Sequence, residues 1–308
     1  MSDPTVRLQP LTRARVASLG EVGRAWHAAL PAVLTALAAR WSLTLGRAVP
    51  GGSSSYVVRA QTADGSDAVL KVAVPDPVFP AQAATLRRAA GRGYARLLAH
   101  DLEQNALLLE ALGPSLQQSS LDPADQLRLL ADTLAQAWQA PTEHPEPPLD
   151  KAGSLAELVS RLWDEQGGPT EEAVLTTALE YARRRGLVEP SELVVVHGDP
   201  HPANLLQVLT PRAGAVSGWC FVDPDGFVAD RAYDLGVALR DWSAHLDGPG
   251  ARRRLEGWCT LLADRSGVDA TRIWEWGFLE RVSTGLYVRS FGAERAAEPF
   301  LRTAALLV

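Results

Sequence analysis

The residues best suited to catalysis lie in one short segment, residues 197–206, with the sequence HGDPHPANLL. The segment follows an apolar run at residues 193–196, so its polar side chains are expected at the end of a strand. Asp199 precedes Asn204 by five positions, a spacing typical of the catalytic loop of kinase-type phosphotransferases. In such loops the Asp orients the attacking hydroxyl group and the Asn holds Mg²⁺. The segment therefore predicts phosphoryl transfer, with a polar loop that only caps a strand as the structural alternative.

A second group of carboxylates follows the apolar run WCFV. Asp223 comes directly after this run, which suits a carboxylate aimed at a metal ion beside Asn204, and Asp225 is the second choice for that role. Asp230 and Asp234 lie where a helix is expected to begin. For these two residues we favour helix capping and bracing of the neighbouring loop over catalysis.

Lys71 is unusual because it is a lysine within an apolar strand. The sequence has 30 basic residues, and only Lys71 and Lys151 are lysines. Alternation along DAVLKVAV places Lys71 on the same face as Val69 and Ala73. A buried ammonium group is costly unless it is paired, and phosphate oxygens are a suitable partner. We therefore favour phosphate binding by Lys71 over an edge lysine that extends to solvent.

A serine-rich turn lies one hairpin before this strand. Its sequence, GGSSS, contains Ser53, Ser54 and Ser55. Backbone N–H groups and hydroxyl groups in such a turn can close over phosphate groups, although the same composition occurs in ordinary hairpins. Its position just before Lys71 favours phosphate binding.

The order of the expected elements predicts an α+β fold with two lobes. Residues 1–112 begin with one or two amphipathic helices at 18–41, with Pro31 as the candidate bend, and continue as short β-rich runs. These runs are expected to form a small antiparallel sheet with one helix, at 80–90, across it. Residues 113–308 are mainly helical with a few short apolar strands, and they carry the catalytic segment.

Composition argues against several classes of protein. The chain has 308 residues, 46% of them apolar, and a net charge of −6, which suits a neutral or cationic small molecule better than nucleic acid. Cys220 and Cys259 lie in apolar surroundings without metal-site spacing, so both are expected to be reduced. No stretch has the character of a signal peptide core or a membrane span. We therefore expect a cytoplasmic protein with no membrane partner.

A metal-dependent hydrolase is a competing function from a different class. His197, Asp199 and His201 could form part of its metal site. Such sites need further His or carboxylate ligands, and the other four of the six histidines show no ligand spacing. A hydrolase would also leave Lys71 and the serine-rich turn without a role, so we favour phosphoryl transfer.

Taken together, these segments resemble the aminoglycoside phosphotransferase family, whose fold is protein-kinase-like. The similarity is greatest to its streptomycin 6-kinase and hydroxyurea-kinase branch. The matching segments follow the order of the family across residues 23–242, and they are GRAWHAALPAVL, PGGSSSYVVRA, AVLKVAVP, RLLAHDLEQNALLLEAL, VVVHGDPHPANLL and FVDPDGFVADRAYDLGVALRDW.

The resemblance implies a bilobal kinase that uses ATP and Mg²⁺ to phosphorylate a hydroxyl group of an aminoglycoside-type antibiotic. Hydroxyurea or another small hydroxylated metabolite is the alternative acceptor. By this resemblance Asp199 is the catalytic residue, and Asn204 and Asp223 hold Mg²⁺. The implied nucleotide-binding residues are Lys71, Ser53, Ser54, Ser55, Glu110 and Leu112, the last two as a hinge whose backbone pairs with adenine.

The sequence departs from the family pattern in two places. Kinase-like folds pair the strand lysine with a Glu on the next helix, yet no Glu occurs between Lys71 and Glu103, and Gln82 is the best-placed substitute. This departure supports the alternative of a degenerate kinase that binds nucleotide without catalysis. Near the C-terminus the segment GLYVRSFGAE has few acidic residues for a guanidinium-bearing substrate. Asp241 and Glu275 are the candidates for contacting cationic groups of an acceptor.

Overall fold

The N-terminal lobe of the computed structural model, which describes residues 6–50, 52, 54–141, 147–246 and 248–308, is built on a five-stranded antiparallel sheet. Its strands are β1 (Thr44–Ala48), β2 (Ser55–Gln61), β3 (Asp67–Ala73), β4 (Leu97–Asp101) and β5 (Ala106–Glu110). Their order across the sheet is β1-β2-β3-β5-β4, so β3 is the central strand. The polar turn at 62–66 joins β2 to β3 as a hairpin, in which Lys71 lies opposite Val57.

Helices cover both faces of this sheet. Helices α1 (Pro10–Ser18) and α2 (Gly20–Arg40) pack on one face, where their apolar side chains meet Leu70 and Val72 of β3. Helix α3 (Phe79–Ala89) packs on the opposite face, together with Ala73. Because successive side chains of a strand point to opposite faces, Lys71 shares the α3 face with Ala73. The burial of the flanking valines and leucines thus places a lysine between the sheet and α3.

The C-terminal lobe is mainly helical, and its most buried element is a long helix, α9. The helices are α4 (Pro123–Ala137), α5 (Lys151–Glu165), α6 (Glu172–Arg185), α7 (Arg231–Ala238), α8 (Ala251–Ser266), α9 (Ala270–Ser290) and α10 (Glu294–Ala305). Helix α9 packs against α5, α6, α7, α8 and α10, so apolar residues surround it on almost every side.

Two short antiparallel ladders in this lobe hold the loops that carry Asp199, Asn204 and Asp223. Strand β6 (Leu193–Val195) pairs with β9 (Val228–Asp230), and β7 (Leu205–Gln207) pairs with β8 (Trp219–Phe221). The loop from β6 to β7 and the loop from β8 to β9 therefore leave the ladders side by side. Three backbone hydrogen bonds join these loops, including Val222 N to Asn204 O at 2.9 Å and Asp225 N to His197 O at 2.7 Å.

The predicted α+β architecture, with an antiparallel sheet followed by a mostly helical lobe, is confirmed. The boundary between the lobes at residues 112 and 113 stays a prediction. Helix α5 starts at Lys151, where the Asp150 carboxylate caps it by accepting a hydrogen bond from Gly153 N at 2.8 Å. Within the described residues, no helix is both long and apolar enough to cross a membrane.

Candidate active site

His197 anchors the loop between β6 and β7 from inside the protein. Its side chain is fully buried, and its Nδ1 atom accepts a hydrogen bond from Asp199 N at 3.1 Å. The other nitrogen, Nε2, therefore carries the proton and donates to the Val222 carbonyl at 2.9 Å. Burial lowers the pKa of His197 to about 4, so the ring is neutral. With both nitrogens engaged, His197 cannot also bind a metal, which removes the basis for the hydrolase alternative.

Asp234 braces the same loop through its backbone. One carboxylate oxygen accepts from Gly198 N at 2.9 Å, and the other accepts from His197 N at 2.9 Å and from Trp138 Nε1 at 2.8 Å. Burial raises the pKa of Asp234 to about 6, against the effect of these hydrogen bonds. The predicted bracing role is confirmed by these contacts.

Asp230 has a separate structural task at the start of α7. Its carboxylate caps the helix by accepting from Ala232 N at 2.9 Å. The same carboxylate accepts from Arg272 at 2.7 Å and from Trp276 Nε1 at 2.9 Å, which ties α7 to α9. Trp276 is thus a buried residue with a satisfied N–H group.

Asp199 lies next to two cationic or potentially cationic side chains. Its Oδ1 atom is 2.6 Å from Nη2 of Arg240, and its Oδ2 atom is 3.3 Å from Nε2 of His201. Burial alone would raise the pKa of Asp199, but the hydrogen bond from His201 and the charge of Arg240 hold it well below its usual range. Asp199 is therefore a carboxylate at neutral pH. Arg240 also lies 3.5 Å from the buried Glu280, which places it between two acidic groups.

Asn204 contacts Asp199, and Asp223 directly follows Val222, whose N–H group donates to the Asn204 carbonyl. The amide nitrogen of Asn204 donates to the Asp199 carbonyl at 3.1 Å, which leaves the amide oxygen as the atom available to a cation. Asp223 has a φ of +58°, in the left-handed region that a non-glycine residue occupies only at a cost. This conformation turns the Asp223 carboxylate toward the N-terminal lobe, where its Oδ1 atom lies 2.6 Å from Lys71 Nζ.

Lys71 joins the two lobes at this point. Its side chain is 6% exposed, and besides Asp223 it contacts the Gln82 side chain on α3, with Nζ 3.2 Å from Oε1. Gln82 in turn donates from Nε2 to the Pro224 carbonyl at 3.4 Å. The structure thus brings Lys71 and Gln82, from the consecutive elements β3 and α3, together with Asp223, which follows Lys71 by 152 residues.

The serine-rich turn lies beside the end of β3. The Ser54 carbonyl accepts from Val74 N at 2.8 Å, and Ser55 pairs with Ala73 in the β2–β3 ladder. These contacts place the turn opposite Ala73 and Val74, which lie two and three residues beyond Lys71. Ser53 lies outside the described residues.

Glu110 and Leu112 occupy the segment that leads from β5 into the C-terminal lobe. The Glu110 carboxylate accepts from Arg96 N at 2.8 Å and from Arg212 Nε at 3.1 Å, so its side chain is used in holding the structure together. Just after Leu112, Gly113 N donates to the Gln207 carbonyl of β7 at 2.8 Å. The backbone of this segment is therefore fixed against both lobes.

Of the two acids predicted to bind the acceptor, Asp241 and Glu275, the structure shows that Glu275 lies away from this site. The side chain of Asp241 lies outside the described part of the structure. Glu275 is buried, and its carboxylate forms ion pairs with Arg184 at 2.8 Å and with Arg185 at 2.7 Å. The structure therefore places Glu275 between α6 and α9, away from the contacts that surround Asp199.

Sequence reasoning did not identify Arg240, Glu280 or Lys151 as neighbours of the site. Lys151 Nζ lies 5.2 Å from the ring centre of Tyr233, whose hydroxyl donates to the Gly198 carbonyl. Burial and the charge of Asp199 raise the pKa of Asp225 to about 6, and the charge of Lys151 acts in the opposite direction. Lys151 could have been singled out because it is one of only two lysines in the sequence. The residues next to Arg240 and Glu280 form no pattern that points to this site.

Comparison with known proteins gives the family. The family model described as "Aminoglycoside/hydroxyurea antibiotic resistance kinase" matches residues 40–292. The chain belongs to this family. It is 31% identical to a streptomycin 6-kinase of Streptomyces glaucescens, over 91% of this chain and 89% of the relative. It is 33% identical to a streptomycin 6-kinase of Streptomyces griseus, over 83% and 82% of the two chains.

The chain also resembles a further relative in sequence and two solved structures in fold. A hydroxyurea phosphotransferase of Kitasatospora aureofaciens is 29% identical over 83% of this chain and 72% of its own length. Among solved structures, aminoglycoside phosphotransferase APH(3'')-Id from Streptomyces rimosus, in complex with ADP and streptomycin, aligns with a TM-score of 0.53 at 22% identity. That alignment covers 83% of this chain and 98% of the other. The choline kinase LicA from Streptococcus pneumoniae aligns with a TM-score of 0.59 at 14% identity, over 89% and 98%.

Proposed function

We propose that this kinase transfers the γ-phosphoryl group of ATP to a hydroxyl group of streptomycin or a closely related aminoglycoside. One observation carries the proposal: Lys71 pairs with Asp223, and Asn204 donates to the Asp199 carbonyl. The two pairs are linked by the backbone hydrogen bond from Val222, the neighbour of Asp223, to the Asn204 carbonyl. Each of the four paired residues has the chemistry that phosphoryl transfer needs, and the linked pairs order them from the nucleotide side to the acceptor side.

The donor nucleotide is proposed to lie between the lobes. Lys71 is the cation for its α- and β-phosphates, and Gln82 holds the lysine in place of a glutamate. Because Gln82 is neutral, Asp223 is the sole carboxylate contacting Lys71 in the described residues. We propose that the turn with Ser53, Ser54 and Ser55 closes over the phosphates and that the backbone at Glu110 and Leu112 pairs with adenine.

Asn204 and Asp223 fit a magnesium ion. They offer an amide oxygen and a carboxylate, the hard oxygen ligands that Mg²⁺ prefers, and Mg²⁺ completes its shell with phosphate oxygens and water. Within the described residues, no group of three or more His, Cys, Asp or Glu side chains forms a separate metal site. When bound, Mg²⁺ would neutralise charge that develops on the phosphate oxygens.

Asp199 is proposed to orient the acceptor hydroxyl group. The acceptor oxygen attacks the γ-phosphorus, the bond from that phosphorus to the β–γ bridging oxygen breaks, and ADP leaves. His201 and Arg240 hold the pKa of Asp199 below its usual range, so it is a weak base. Asp199 therefore acts by alignment and accepts the hydroxyl proton only as the new bond forms.

The acceptor class rests on the relatives and on charge. Two streptomycin 6-kinases match most of this chain, and the net charge of −6 suits a cationic antibiotic. Asp241 stays a candidate for contacting the acceptor, whereas the ion-paired Glu275 is no longer proposed for that role. Hydroxyurea is the second candidate acceptor, because a hydroxyurea phosphotransferase also matches the chain. Since ATP is the donor, we propose that the enzyme works in the cytoplasm.

A coupled assay of ADP release tests this function. Purified protein with ATP and Mg²⁺ is mixed with streptomycin, other aminoglycosides, hydroxyurea or small hydroxylated metabolites, and the Asp199→Ala variant serves as background. We expect streptomycin to stimulate ADP release in the wild type alone. Stimulation only by hydroxyurea would reassign the acceptor. Nucleotide binding without stimulation by any acceptor would favour a degenerate kinase.

A further inference from the structure

Helix α1 touches the turn that we propose for phosphate binding. Thr12, in the first half of α1, is 1% exposed, and its hydroxyl oxygen lies 3.3 Å from the Gly52 carbonyl and 3.3 Å from the Ser55 carbonyl. These two carbonyls flank the serine-rich turn between β1 and β2. The one hydroxyl proton of Thr12 is thus shared between two carbonyls of the turn, from a helix that precedes it by 40 residues in sequence.

The helix that carries Thr12 is itself fixed on the lobe. Val16 of α1 is buried in the apolar cluster on the outer face of the sheet. Gly23 of α2 lets α1 approach closely, because a Cβ atom on Gly23 would lie 2.0 Å from the Val16 carbonyl oxygen. Arg15 lies 3.7 Å from Asp76, in the loop between β3 and α3. Helix α1 therefore contacts the segments on both sides of the end of β3, next to Lys71.

A loop of glycine and serine has many accessible backbone conformations, and ordering it on ligand binding costs free energy. Gly52 has a φ of +81°, in the region where glycine has the greatest freedom. A hydroxyl group on a fixed helix, whose proton is shared between the Gly52 and Ser55 carbonyls, reduces that freedom before nucleotide arrives. Helix α1 lies outside residues 40–292, which match the family model. The contact from Thr12 to the turn therefore comes from a part of the chain that the family model does not cover.

We propose that Thr12 is a positioning residue that pre-orders the serine-rich turn for the phosphate groups of the nucleotide. The proposal rests on the proposed function, because it requires that the turn binds phosphate. Thr12 does not touch the reacting atoms. It acts through the turn, so its loss should weaken binding of phosphate-bearing nucleotides and leave binding of the nucleoside unchanged.

The test compares Thr12→Val with Thr12→Ser by calorimetric titration of ADP with Mg²⁺, and by competition with adenosine. Valine removes the hydroxyl at nearly constant shape, and loss of one such hydrogen bond corresponds to a change of about 3- to 10-fold. We expect the Kd for ADP to rise by this factor in Thr12→Val, with adenosine affinity unchanged, and to stay at the wild-type value in Thr12→Ser. Gly23→Ala, which forces α1 away from α2, should have the same selective effect on ADP.

Thr35→Val is the matched control, because the Thr35 hydroxyl is exposed and donates only within α2, to the Pro31 carbonyl at 3.0 Å. It should bind ADP as the wild type does. Equal ADP affinity in Thr12→Val and the wild type would overturn the role of Thr12 and leave the proposed function standing. Equal weakening of ADP and adenosine would also overturn it, since that pattern indicates general damage to the lobe. A wild type that binds no ADP would instead overturn the proposed function.

Discussion

Asp234→Asn separates the positioning of the catalytic loop from the stability of the fold. The Asp234 carboxylate accepts hydrogen bonds from the backbone of His197 and Gly198 and from Trp138. Asparagine has almost the same shape but only one acceptor oxygen, so at least one of these donors must face an NH₂ group. In the better orientation the amide keeps the His197 and Trp138 bonds and loses the bond to Gly198, directly before Asp199.

The effect on stability combines two opposing contributions. Losing a hydrogen bond to a charged acceptor costs about 1.5 to 3 kcal/mol. In the opposite direction, burial raises the pKa of Asp234 from 3.8 to about 6, so the folded protein holds the charged form above pH 6 at a cost of about 3 kcal/mol. Asparagine carries no charge and removes this cost. The free energy of unfolding at neutral pH should therefore change by less than about 2 kcal/mol. Turnover should fall much further, because a shift of about 1 Å in a catalytic group can cost about 100-fold.

The assay pairs urea denaturation with steady-state ADP release in the presence of streptomycin. Asp230→Asn is the matched control, since Asp230 caps the same helix and binds Arg272 and Trp276 but makes no contact with the catalytic loop. We expect Asp234→Asn to keep its stability and lose about 100-fold in kcat. Asp230→Asn should lose stability and keep kcat below its unfolding temperature. Turnover of Asp234→Asn within about twofold of the wild type would refute the bracing role.

Three further variants test individual contacts. Gln82→Ala should raise KM for ATP only a few-fold in initial-rate measurements, because Asp223 still holds Lys71 at 2.6 Å; a complete loss of activity would show that Gln82 does more than orient the lysine. His197→Asn should make the free energy of unfolding depend less on pH between about 6.5 and about 4. The pKa of His197 is lowered to about 4 in the folded protein, so the unfolded chain takes up the proton first and wild-type stability falls as pH drops from about 6.5 to about 4. The same slope of unfolding free energy against pH in both proteins, measured by urea denaturation, would contradict this. Glu275→Gln should destabilise the fold by only about 1 to 3 kcal/mol, because Arg184 is partly exposed and burial already raises the pKa of Glu275, and it should leave KM for the acceptor unchanged in the same rate assay.

Local patterns in the sequence were sufficient to predict the fold class and to single out most of the residues that meet at the site. Asp199 and Asp223 come after apolar runs and Asn204 comes directly before one, and side chains at strand ends are presented together when the strands pair. Lys71 was identifiable because alternation buries it among valines and because lysine is rare in this chain. These inferences depend only on neighbouring residues.

The remaining features depend on contacts between distant segments. Arg240 reaches Asp199 across 41 residues and Glu280 lies on α9, and neither has a local pattern that points to the other. Helix α9 is buried on nearly every side, so hydrophobic periodicity could not show that Glu275 faces α6 while Glu280 faces Arg240. The contact of Thr12 with the serine-rich turn has the same origin, because it depends on how α1 packs on the sheet.

The most direct measurement is the mass of streptomycin after incubation with this protein, ATP and Mg²⁺. The proposed function predicts that streptomycin gains the mass of one phosphoryl group, in an amount equal to the ADP formed, and that the Asp199→Ala variant gives neither product while still binding ADP. Unmodified streptomycin beside a wild type that binds ADP, or equal phosphorylation by the Asp199→Ala variant, would contradict it.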